Sequence, residues 1–430
     1  MAKVVVAMSP KESLRLPTGQ AGGIGEKKKI VVAMSGGLDS SVAAALLKRV
    51  GFDLIGVFMK FWAEPERDGL IGSSNRCCST EAEVRARKVA KILKIPFYVF
   101  NFEKEFKKRI VDYFIDGYKR GITPNPCVIC NKEIKFGLLL EKALKLDADY
   151  IATGHYARTN LTPSFLKRNA AAFKIRKLKE IKLLRGKDRV KDQSYFLWML
   201  NQKQLKRILF PVGDYTRKEV ENLARKFKLP VLKARKSVEI CFVKISVNDF
   251  LKKYLKQKPG LISDPQGKVI GKHQGLAFYT IGQRKGIGLA GGPAFAKATA
   301  GKPYYVLDKD FKNNALIVTK NEKDLLKKEL ICKNVNWISG KEPRLLGEAR
   351  PFRAAKLPLK IKAKIRYRQK LAPATIYKLK TKNYKLIFNK PQRAITPGQS
   401  VVFYSPATIF AKGKIWAGKG QELLGGGIIT

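Results

Sequence analysis

The clearest chemical signal in the chain is at residues 35–41, which read Ser-Gly-Gly-Leu-Asp-Ser-Ser. The β-branched run at 30–34 predicts a buried parallel strand before this segment, and 42–48 predicts a helix after it. Two glycines between a strand and a helix N-terminus present backbone N–H groups to an anion, usually phosphate. No lysine follows the second glycine, so this is not the nucleoside-triphosphate loop G-x-x-x-x-G-K-[ST]. We expect a different phosphate site, in which Asp39 can hold a metal ion and three hydroxyls can donate: those of Ser35, Ser40 and Ser41.

Thiol chemistry is indicated by Cys127 and Cys130, which lie in a proline-stiffened segment just before a predicted helix at 134–144. A cysteine at a helix N-terminus with a lysine nearby should have a lowered pKa. The C-x-x-C spacing is shared by zinc sites, redox dithiols and iron–sulfur clusters. A closed zinc site would need a second such pair or paired histidines, and the chain has only His155 and His273, which weakens the zinc interpretation. Taken alone, Cys241 is typical of a small buried hydrophobic residue.

The charge of the chain favours a nucleic-acid partner. Its 430 residues include 87 lysines and arginines against 34 acids, a formal charge of +53. Such an excess repels itself unless a polyanion neutralises it. Six cysteines in so long a chain do not suit a secreted disulfide scaffold and predict a reducing, cytoplasmic location. No apolar run approaches the roughly 18 residues of a membrane span, and the run at 4–8 is too short for a signal peptide, so no membrane partner is expected.

Alternating strands and helices must position these residues. Predicted strands at 53–59, 95–102 and 148–152 alternate with predicted helices at 76–93 and 103–120. This alternation predicts a doubly wound parallel sheet, an α/β fold whose ligands bind beyond the carboxyl ends of the strands. Three strand ends therefore point at one crevice: those before the glycine turn, at Met59 and before Thr153-Gly154-His155-Tyr156.

The rest of the chain suggests two further domains. We expect an atypical extension at 1–27, a catalytic domain at 28–235, a small central domain at 236–325 and an antiparallel β-barrel at 326–430. In the barrel, period-two spacing predicts a basic strand face formed by Lys362, Lys364, Arg366 and Arg368. Poorly patterned stretches at 160–182 and 294–301 are interpreted as insertions.

Seven motifs follow one another along the chain: SGGLDSS, PNPCVICNKEIKF, TGHYAR, KDQSYFL, EICF, GQRKGIG and the terminal LGGGII. In this order and at these intervals they resemble the tRNA-specific 2-thiouridylase family of the PP-loop ATP pyrophosphatase superfamily, from residue 28 onward. The resemblance implies ATP-dependent 2-thiolation of the wobble uridine of tRNA. In that reaction the C2 oxygen is adenylated with release of pyrophosphate, and sulfur then displaces AMP.

The resemblance also implies a role for each matching residue. Cys130 matches the nucleophile and Cys241 the persulfide carrier, and such thiols exchange sulfur only if the fold brings them together. Asp39 is expected to bind Mg²⁺ through ATP. The implied ATP contacts are Ala33, Met34, Ser35, Gly36, Gly37, Leu38, Asp39, Ser40, Met59 and Gly154. The implied tRNA contacts are Asn125, Pro126, Cys127, His155, Lys191, Asp192, Gln193, Arg366, Tyr367 and Gln399. His155 could instead be a structural histidine near ATP.

One position departs from the family pattern, because many members carry Asp where this chain has Cys127. Cys127, Cys130 and Cys241 could supply three ligands to a four-iron iron–sulfur cluster with one iron open to sulfide. Alternatively, Cys127 is an accessory thiol beside a persulfide on Cys241. A cysteine desulfurase or sulfur-relay protein is the expected sulfur donor, and Cys77 and Cys78 should be dispensable.

Two other functions stay open from the sequence. Another PP-loop tRNA-modifying enzyme, of the 4-thiouridine synthase or lysidine synthetase type, would share the phosphate loop without needing Cys130 and Cys241. A non-catalytic tRNA-binding protein is suggested by the inserted segments, although the motif residues of the crevice are intact.

Overall fold

The computed structural model describes residues 27–64, 79–161, 178–232, 240–244, 246–289, 303–342, 358–406 and 421–430. Several predictions fall elsewhere in the chain: those for Cys77 and Cys78, for residues 1–26, for most of the stretch at 160–182 and for the stretch at 294–301.

Strands and helices are numbered in chain order. The strands are β1 (Lys29–Ala33), β2 (Asp53–Lys60), β3 (Phe97–Asn101), β4 (Tyr150–Ala152), β5 (Ala157–Thr159), β6 (Leu183–Arg185), β7 (Ile208–Leu209), β8 (Gly260–Ser263), β9 (Val269–His273), β10 (Tyr305–Asp310), β11 (Ala315–Thr319), β12 (Leu326–Trp337), β13 (Leu359–Lys364), β14 (Ala372–Lys378), β15 (Tyr384–Arg393), β16 (Ser400–Tyr404) and β17 (Glu422–Ile429). The α-helices are α1 (Leu38–Val50), α2 (Thr80–Ile92), α3 (Glu103–Phe106), α4 (Asp112–Lys119), α5 (Pro126–Cys130), α6 (Leu139–Leu144), α7 (Gln202–Leu205), α8 (Arg217–Lys226) and α9 (Val247–Lys252). A π-helical segment, Lys107–Val111, joins α3 to α4, and another, Asn131–Leu138, joins α5 to α6.

The first sheet confirms the predicted doubly wound parallel architecture. Its order is β3-β2-β1-β4-β7, and each neighbouring pair runs parallel. Chain order reverses between β1 and β4, and ligands of such sheets bind beyond the strand carboxyl ends at that point. The two loops that leave these strands, 34–37 and 153–156, therefore flank the expected ligand crevice.

The predicted C-terminal antiparallel barrel is also confirmed. Its six strands follow the order β12-β15-β14-β13-β16-β17, and pairing of β12 with β17 closes the ring. In the same sheet, β6 pairs with β17 and β5 pairs with β6. These two short strands flank the stretch interpreted as an insertion, so they connect the N-terminal region to the barrel. A separate central sheet has the order β10-β11-β8-β9.

Two local predictions are wrong. The helix predicted at 134–144 begins at Pro126, so Cys127 and Cys130 lie inside the helix rather than before it. Proline is well tolerated in the first helical position, where its missing N–H has no intrahelical partner to lose. The predicted basic face is also incomplete, because β13 ends at Lys364 and this lysine is only 3% exposed. Its ammonium group lies 3.9 Å from the buried carboxylate of Asp192.

No helix in the described ranges is long and apolar enough to cross a membrane.

Candidate active site

The phosphate loop is the connection between β1 and α1, residues 34–37. Gly36 has a φ of +68°, and a Cβ atom there would lie 2.0 Å from the backbone oxygen of Ala82, so the position requires glycine. Gly37 is the N-cap of α1 and has an extended conformation. Nε of Arg85 donates a hydrogen bond to the carbonyl oxygen of Gly36 at 3.1 Å. The side chain of Arg85, from α2, thus holds the loop in place, and the N-terminus of α1 faces the expected crevice.

The hydroxyl groups of Ser40 and Ser41 stabilise this loop from inside. Both donate to the carbonyl oxygen of Gly37, at 3.2 and 2.8 Å, and both side chains are buried. The backbone N–H of Ser35 donates to Oγ of Ser40 at 3.2 Å. In this structure the hydroxyls of Ser40 and Ser41 donate to the loop's own backbone, and their donation to phosphate stays a prediction. Ser35 is the exposed serine of the three.

The carboxylate of Asp39 is held by two side chains that the sequence did not single out. The hydroxyl of Tyr156 donates to Oδ1 of Asp39 at 2.7 Å. Nη1 of Arg217, in the first turn of α8, lies 3.1 Å from Oδ1 and 3.3 Å from Oδ2. Burial raises the pKa of Asp39, although the hydrogen bond from Tyr156 and the charges of Arg217 and Lys191 act in the opposite direction.

Gly154 and Met59 lie at the strand ends where the sequence places them. A Cβ atom on Gly154 would lie 2.5 Å from the backbone nitrogen of Ser40, so the loop after β4 packs directly on the start of α1. Met59 is half-buried near the end of β2. The three predicted strand ends therefore lie at the same edge of the parallel sheet, around the expected crevice.

The two neighbouring cysteines differ in exposure. Cys130 is 8% exposed, whereas Cys127, in the first turn of α5, is partly exposed. Asn125 and Pro126 before them are buried. Thus Cys127 is the more accessible thiol of this pair.

Three regions of the chain meet at Thr123, just before these cysteines. Nε2 of Gln399, from the barrel, donates to the carbonyl oxygen of Thr123 at 2.9 Å. The N–H of Thr123 donates to the oxygen of Pro397, also from the barrel, at 2.9 Å. The hydroxyl of Thr123 lies 3.1 Å from that of Thr280, in the central region. The segment that leads to Cys127 is therefore fixed by both other regions.

A buried hydrogen-bond acceptor lies next to Cys130. Nδ2 of Asn131 donates to the carbonyl oxygen of Phe196 at 3.2 Å, which fixes the orientation of the amide. Among the described residues, Oδ1 of Asn131 is the buried side-chain atom that has no hydrogen-bond partner. An acceptor of this kind is costly unless a ligand or a water molecule donates to it.

Cys241 is anchored by its neighbour Phe242. The ring of Phe242 is buried edge-on against the rings of Phe106 and Phe114, at centroid distances of 5.9 and 5.3 Å. Helix α5 contacts the π-helical segment between α3 and α4, so both cysteine-bearing segments pack on one helical stretch, residues 103–119. Within the described ranges, no three His, Cys, Asp or Glu side chains form a group that could hold a metal ion. Cys127, Cys130 and Cys241 therefore do not form such a group in this structure, and the ligand set expected for a cluster is not assembled here.

His155 is a buried ring near the crevice. Its Nδ1 lies 2.8 Å from Oγ1 of Thr153, and its ring packs between Phe136 and Phe210. Burial lowers the pKa of His155 well below its ordinary value, and the charge of Lys135 acts in the same direction. This environment favours the structural alternative for His155, and its contact with tRNA stays a prediction.

Among the predicted tRNA contacts, Asp192 is buried. Its Oδ2 accepts from Nε of Arg185 at 2.7 Å, and its Oδ1 accepts from the backbone of Gly186 and Ser194. Gln193 is half-buried, and its Oε1 accepts from the N–H of Tyr156 at 3.0 Å. The Asp192 side chain therefore holds the segment 191–193 in place rather than presenting itself to solvent.

Arg366 and Tyr367 follow β13 and lie beside this segment. Nη2 of Arg366 donates to the carbonyl oxygen of Ala394 at 3.0 Å. The ring of Tyr367 packs on that of Phe196, with centroids 4.5 Å apart. Both side chains are partly exposed, so a ligand can reach them.

Tyr156, Arg217 and Arg185 were not predicted as site residues. Tyr156 stands within the TGHYAR motif, so its position next to the strand end was the available signal. Arg185 and Arg217 lie in no motif, because their roles depend on partners that are distant in sequence.

Comparison with known proteins assigns all three regions of the chain to protein families. One family model, described as a tRNA methyl transferase HUP domain, matches residues 28–245. A tRNA methyl transferase PRC-barrel domain matches 248–320, and an aminomethyltransferase beta-barrel domain matches 327–429.

Curated relatives include three tRNA-specific 2-thiouridylases. The protein from Geobacillus kaustophilus is 45% identical over 88% of this chain and 93% of its own length. The protein from Clostridioides difficile is 42% identical over 94% of this chain and 98% of its own length. The protein from Moorella thermoacetica is 45% identical over 90% of this chain and 98% of its own length.

Proposed function

The chain belongs to the tRNA-specific 2-thiouridylase family, and on that premise we propose that it catalyses ATP-dependent 2-thiolation of the wobble uridine of tRNA. The observation that carries this proposal is the crevice, in which the phosphate loop, the loop after β4 and the carboxyl end of β2 come together. The segment that leads to Cys127 and Cys130 is fixed by the barrel and the central region.

Adenylation is the first step. The C2 oxygen of uridine is a poor leaving group, so it attacks the α-phosphorus of ATP and pyrophosphate departs. The phosphate loop binds the triphosphate through the N-terminus of α1. Mg²⁺ is usually held by one or two carboxylates together with substrate phosphates, and Asp39 supplies a carboxylate of that kind. Bound there, the ion would neutralise phosphate charge, while Tyr156 and Arg217 orient the carboxylate.

Sulfur transfer is the second step. In our proposal the terminal sulfur of a persulfide on Cys241 attacks C2, and AMP leaves. The thiolate of Cys130 then attacks the remaining Cys241 sulfur, which leaves sulfur on the uridine and a disulfide between the two cysteines. A thiol reductant must restore them. The packing of both segments on residues 103–119 supports this exchange.

Cys127 distinguishes the two sulfur routes considered from the sequence. A persulfide route needs only Cys130 and Cys241, so Cys127 would be an accessory thiol near the base.

The family description that mentions methyl transfer fits the site less well, because methyl transfer needs neither a phosphate loop nor a pair of cysteines.

The partners and location follow from the same proposal. The substrate is tRNA, which we place along 191–193, Arg366, Tyr367 and Gln399, with the target base near Asn125. A cysteine desulfurase or a sulfur-relay protein would supply the persulfide sulfur, in the cytoplasm. We also propose a division into domains at 28–235, 236–325 and 326–430.

The test measures three readouts on the purified full-length chain: pyrophosphate release, 2-thiouridine in tRNA and binding of ATP. Cys130→Ser and Cys241→Ser should each abolish 2-thiouridine while ATP binding persists. Cys332→Ala is the matched control, because Cys332 lies in the barrel core and burial raises its pKa to about 12. Thiolation that persists in either serine variant would overturn the assigned roles.

A separate measurement addresses the accessory role of Cys127. Cys127→Ser should keep much of the thiolation activity on the persulfide route. Joint loss of activity and of bound iron, after anaerobic purification, would contradict that route.

Pyrophosphate release that requires both ATP and tRNA distinguishes the enzyme from a protein that only binds tRNA.

A further inference from the structure

The two residues whose side chains hold the Asp39 carboxylate are both hydrogen-bonded, through their backbones, to the segment 188–193. This segment includes the proposed tRNA contacts at 191–193. Tyr156 approaches Asp39 from the loop after β4, and Arg217 approaches it from α8. Neither belongs to the phosphate loop. The arrangement of this carboxylate therefore depends on what fixes Tyr156 and Arg217.

Tyr156 is fixed by Gln193. The side-chain Oε1 of Gln193 accepts from the N–H of Tyr156 at 3.0 Å, and the N–H of Gln193 donates to the carbonyl oxygen of Tyr156 at 2.9 Å. These two bonds tie Gln193 to the backbone of Tyr156. Tyr156 is only 2% exposed, so it is closely surrounded by other atoms. A shift of Gln193 would therefore displace Tyr156 and the residues packed around it.

Arg217 is fixed by Asp188. Oδ2 of Asp188 accepts from the backbone N–H of Arg217 at 2.9 Å. Its other oxygen accepts from the N–H groups of Val190 and Lys191, at 3.0 and 3.1 Å. The segment 188–193 is thus hydrogen-bonded to both residues that hold Asp39.

The far side of this segment is tied to the barrel. Asp192 forms a buried ion pair with Arg185, and the hydroxyl of Ser194 lies 3.1 Å from that of Tyr404. The hydroxyl of Tyr367 lies 3.5 Å from the carbonyl oxygen of Lys191. A polyanion that binds Lys191 and Tyr367 therefore contacts a segment whose movement is restricted by these bonds to the barrel.

We propose that Tyr156 and Arg217 are positioning residues through which tRNA bound at the segment 188–193 changes the affinity of the phosphate loop for ATP. The proposal rests on the proposed thiolation of tRNA and adds an energetic coupling between its two substrates. Thermodynamic reciprocity requires that ATP change the affinity for tRNA by the same factor.

The experiment measures this coupling factor with an ATP analogue that cannot be split. Calorimetry gives the dissociation constant of α,β-methylene-ATP with Mg²⁺, in the absence and in the presence of a saturating unmodified tRNA transcript with a wobble uridine. The ratio of the two constants is the coupling factor, so a change in the affinity for nucleotide alone cancels. We expect a factor of about 5 or more for the unchanged protein, within the usual range of allosteric coupling.

Three variants test which residues carry the coupling. Tyr156→Phe removes the hydroxyl but keeps the ring, and should lower the factor; adding Asp188→Ala should bring it below about 2. Tyr377→Phe, on barrel strand β14, is the matched control and should leave the factor unchanged. Thermal unfolding checks that each variant is folded.

The outcomes separate this inference from the proposed function. A coupling factor of one in the unchanged protein, or a double variant that keeps the full factor, would overturn the inference while both substrates still bind. If the unchanged protein binds neither the nucleotide nor tRNA, the proposed function itself fails. Reciprocal titration of tRNA with and without the analogue must give the same factor.

Discussion

At the scale of single residues, the chemistry depends on how Asp39 is surrounded. Its carboxylate is bound by Tyr156 and Arg217, so it is already oriented before a ligand arrives. A charged group that is fixed in advance loses little reorganisation energy when it binds a metal–phosphate complex. The same pairing keeps the charge of the carboxylate balanced inside the crevice.

Asp39→Ala should abolish pyrophosphate release and leave tRNA binding largely intact. The substitution removes the oxygen ligands expected to hold Mg²⁺, and it also leaves Arg217 and Tyr156 without this acceptor. Pyrophosphate release and tRNA affinity are measured side by side. Asp116→Ala, an exposed acid on α4 paired with Arg120, is the control and should preserve both. Normal pyrophosphate release by the Asp39 variant would exclude a role for this carboxylate.

Burial of His155 should make the protein less stable in mild acid. Its folded-state pKa lies below the ordinary value, so as pH falls through about 6.5 the unfolded chain takes up a proton more readily than the native one. The free energy of unfolding must then fall as pH falls. Urea unfolding at pH 7.5 and 5.5 should show a smaller difference for His155→Gln than for the unchanged protein.

The second histidine provides the comparison. Burial also lowers the pKa of His273, but its hydrogen bond to the carbonyl oxygen of Asn314 acts in the opposite direction. His273→Gln should therefore remove a smaller part of the acid sensitivity. An unchanged pH dependence in His155→Gln would mean that His155 becomes protonated in the folded state.

At the scale of elements, the sequence predicted regular patterns better than buried polar pairs. The ends of β1, β2 and β4 followed from hydrophobic runs, and the crevice followed from the topology of parallel sheets. The helix start at Pro126 was missed because prolines were interpreted as a loop signal. The short strands β5 and β6 were missed because three residues carry almost no periodic signal.

The buried side chain of Lys364 shows why polar pairs in the interior could not be predicted from the sequence. Alternation placed it on a polar face, yet its ammonium group points to Asp192, whose own charge is paired with Arg185. A buried charge is tolerated only with such partners. Partners from distant parts of the chain leave no trace in a local pattern.

Gly36→Ala should destroy the phosphate loop. Its positive φ disfavours any side chain, and its Cβ would collide with the backbone of Ala82, which cannot move without shifting α2. We expect binding of ATP to be lost in calorimetry. Gly51→Ala at the end of α1 is the matched control, because it also has a positive φ but open space around it. It should cost only about 1 kcal/mol of stability and keep ATP binding. Equal affinity for ATP in both variants would contradict the steric argument.

At the scale of the whole molecule, the excess of 53 positive charges favours binding of a polyanion such as tRNA. Charges that release condensed counterions from RNA make binding fall steeply with salt. They contribute only if they are near the surface, so the count of basic residues overstates the number of contacts. Lys364 is the clearest case, since a buried lysine cannot reach a phosphate.

The affinity for tRNA should therefore fall with a log–log salt slope of several units. Lys362→Ala and Arg368→Ala change partly or fully exposed side chains of the predicted basic face. Each should reduce the magnitude of that slope by about 0.7 to 0.9, the contribution of one phosphate contact.

Lys364→Met is the control, because it removes a positive charge from the same predicted face at a buried position. It should leave the slope unchanged and instead lower the free energy of unfolding, because Asp192 loses a nearby cation. Filter binding across a salt series, together with urea unfolding, measures both quantities. A flat salt response of the unchanged protein, or an equal loss of slope in all three variants, would show that surface position does not decide which charges meet the RNA.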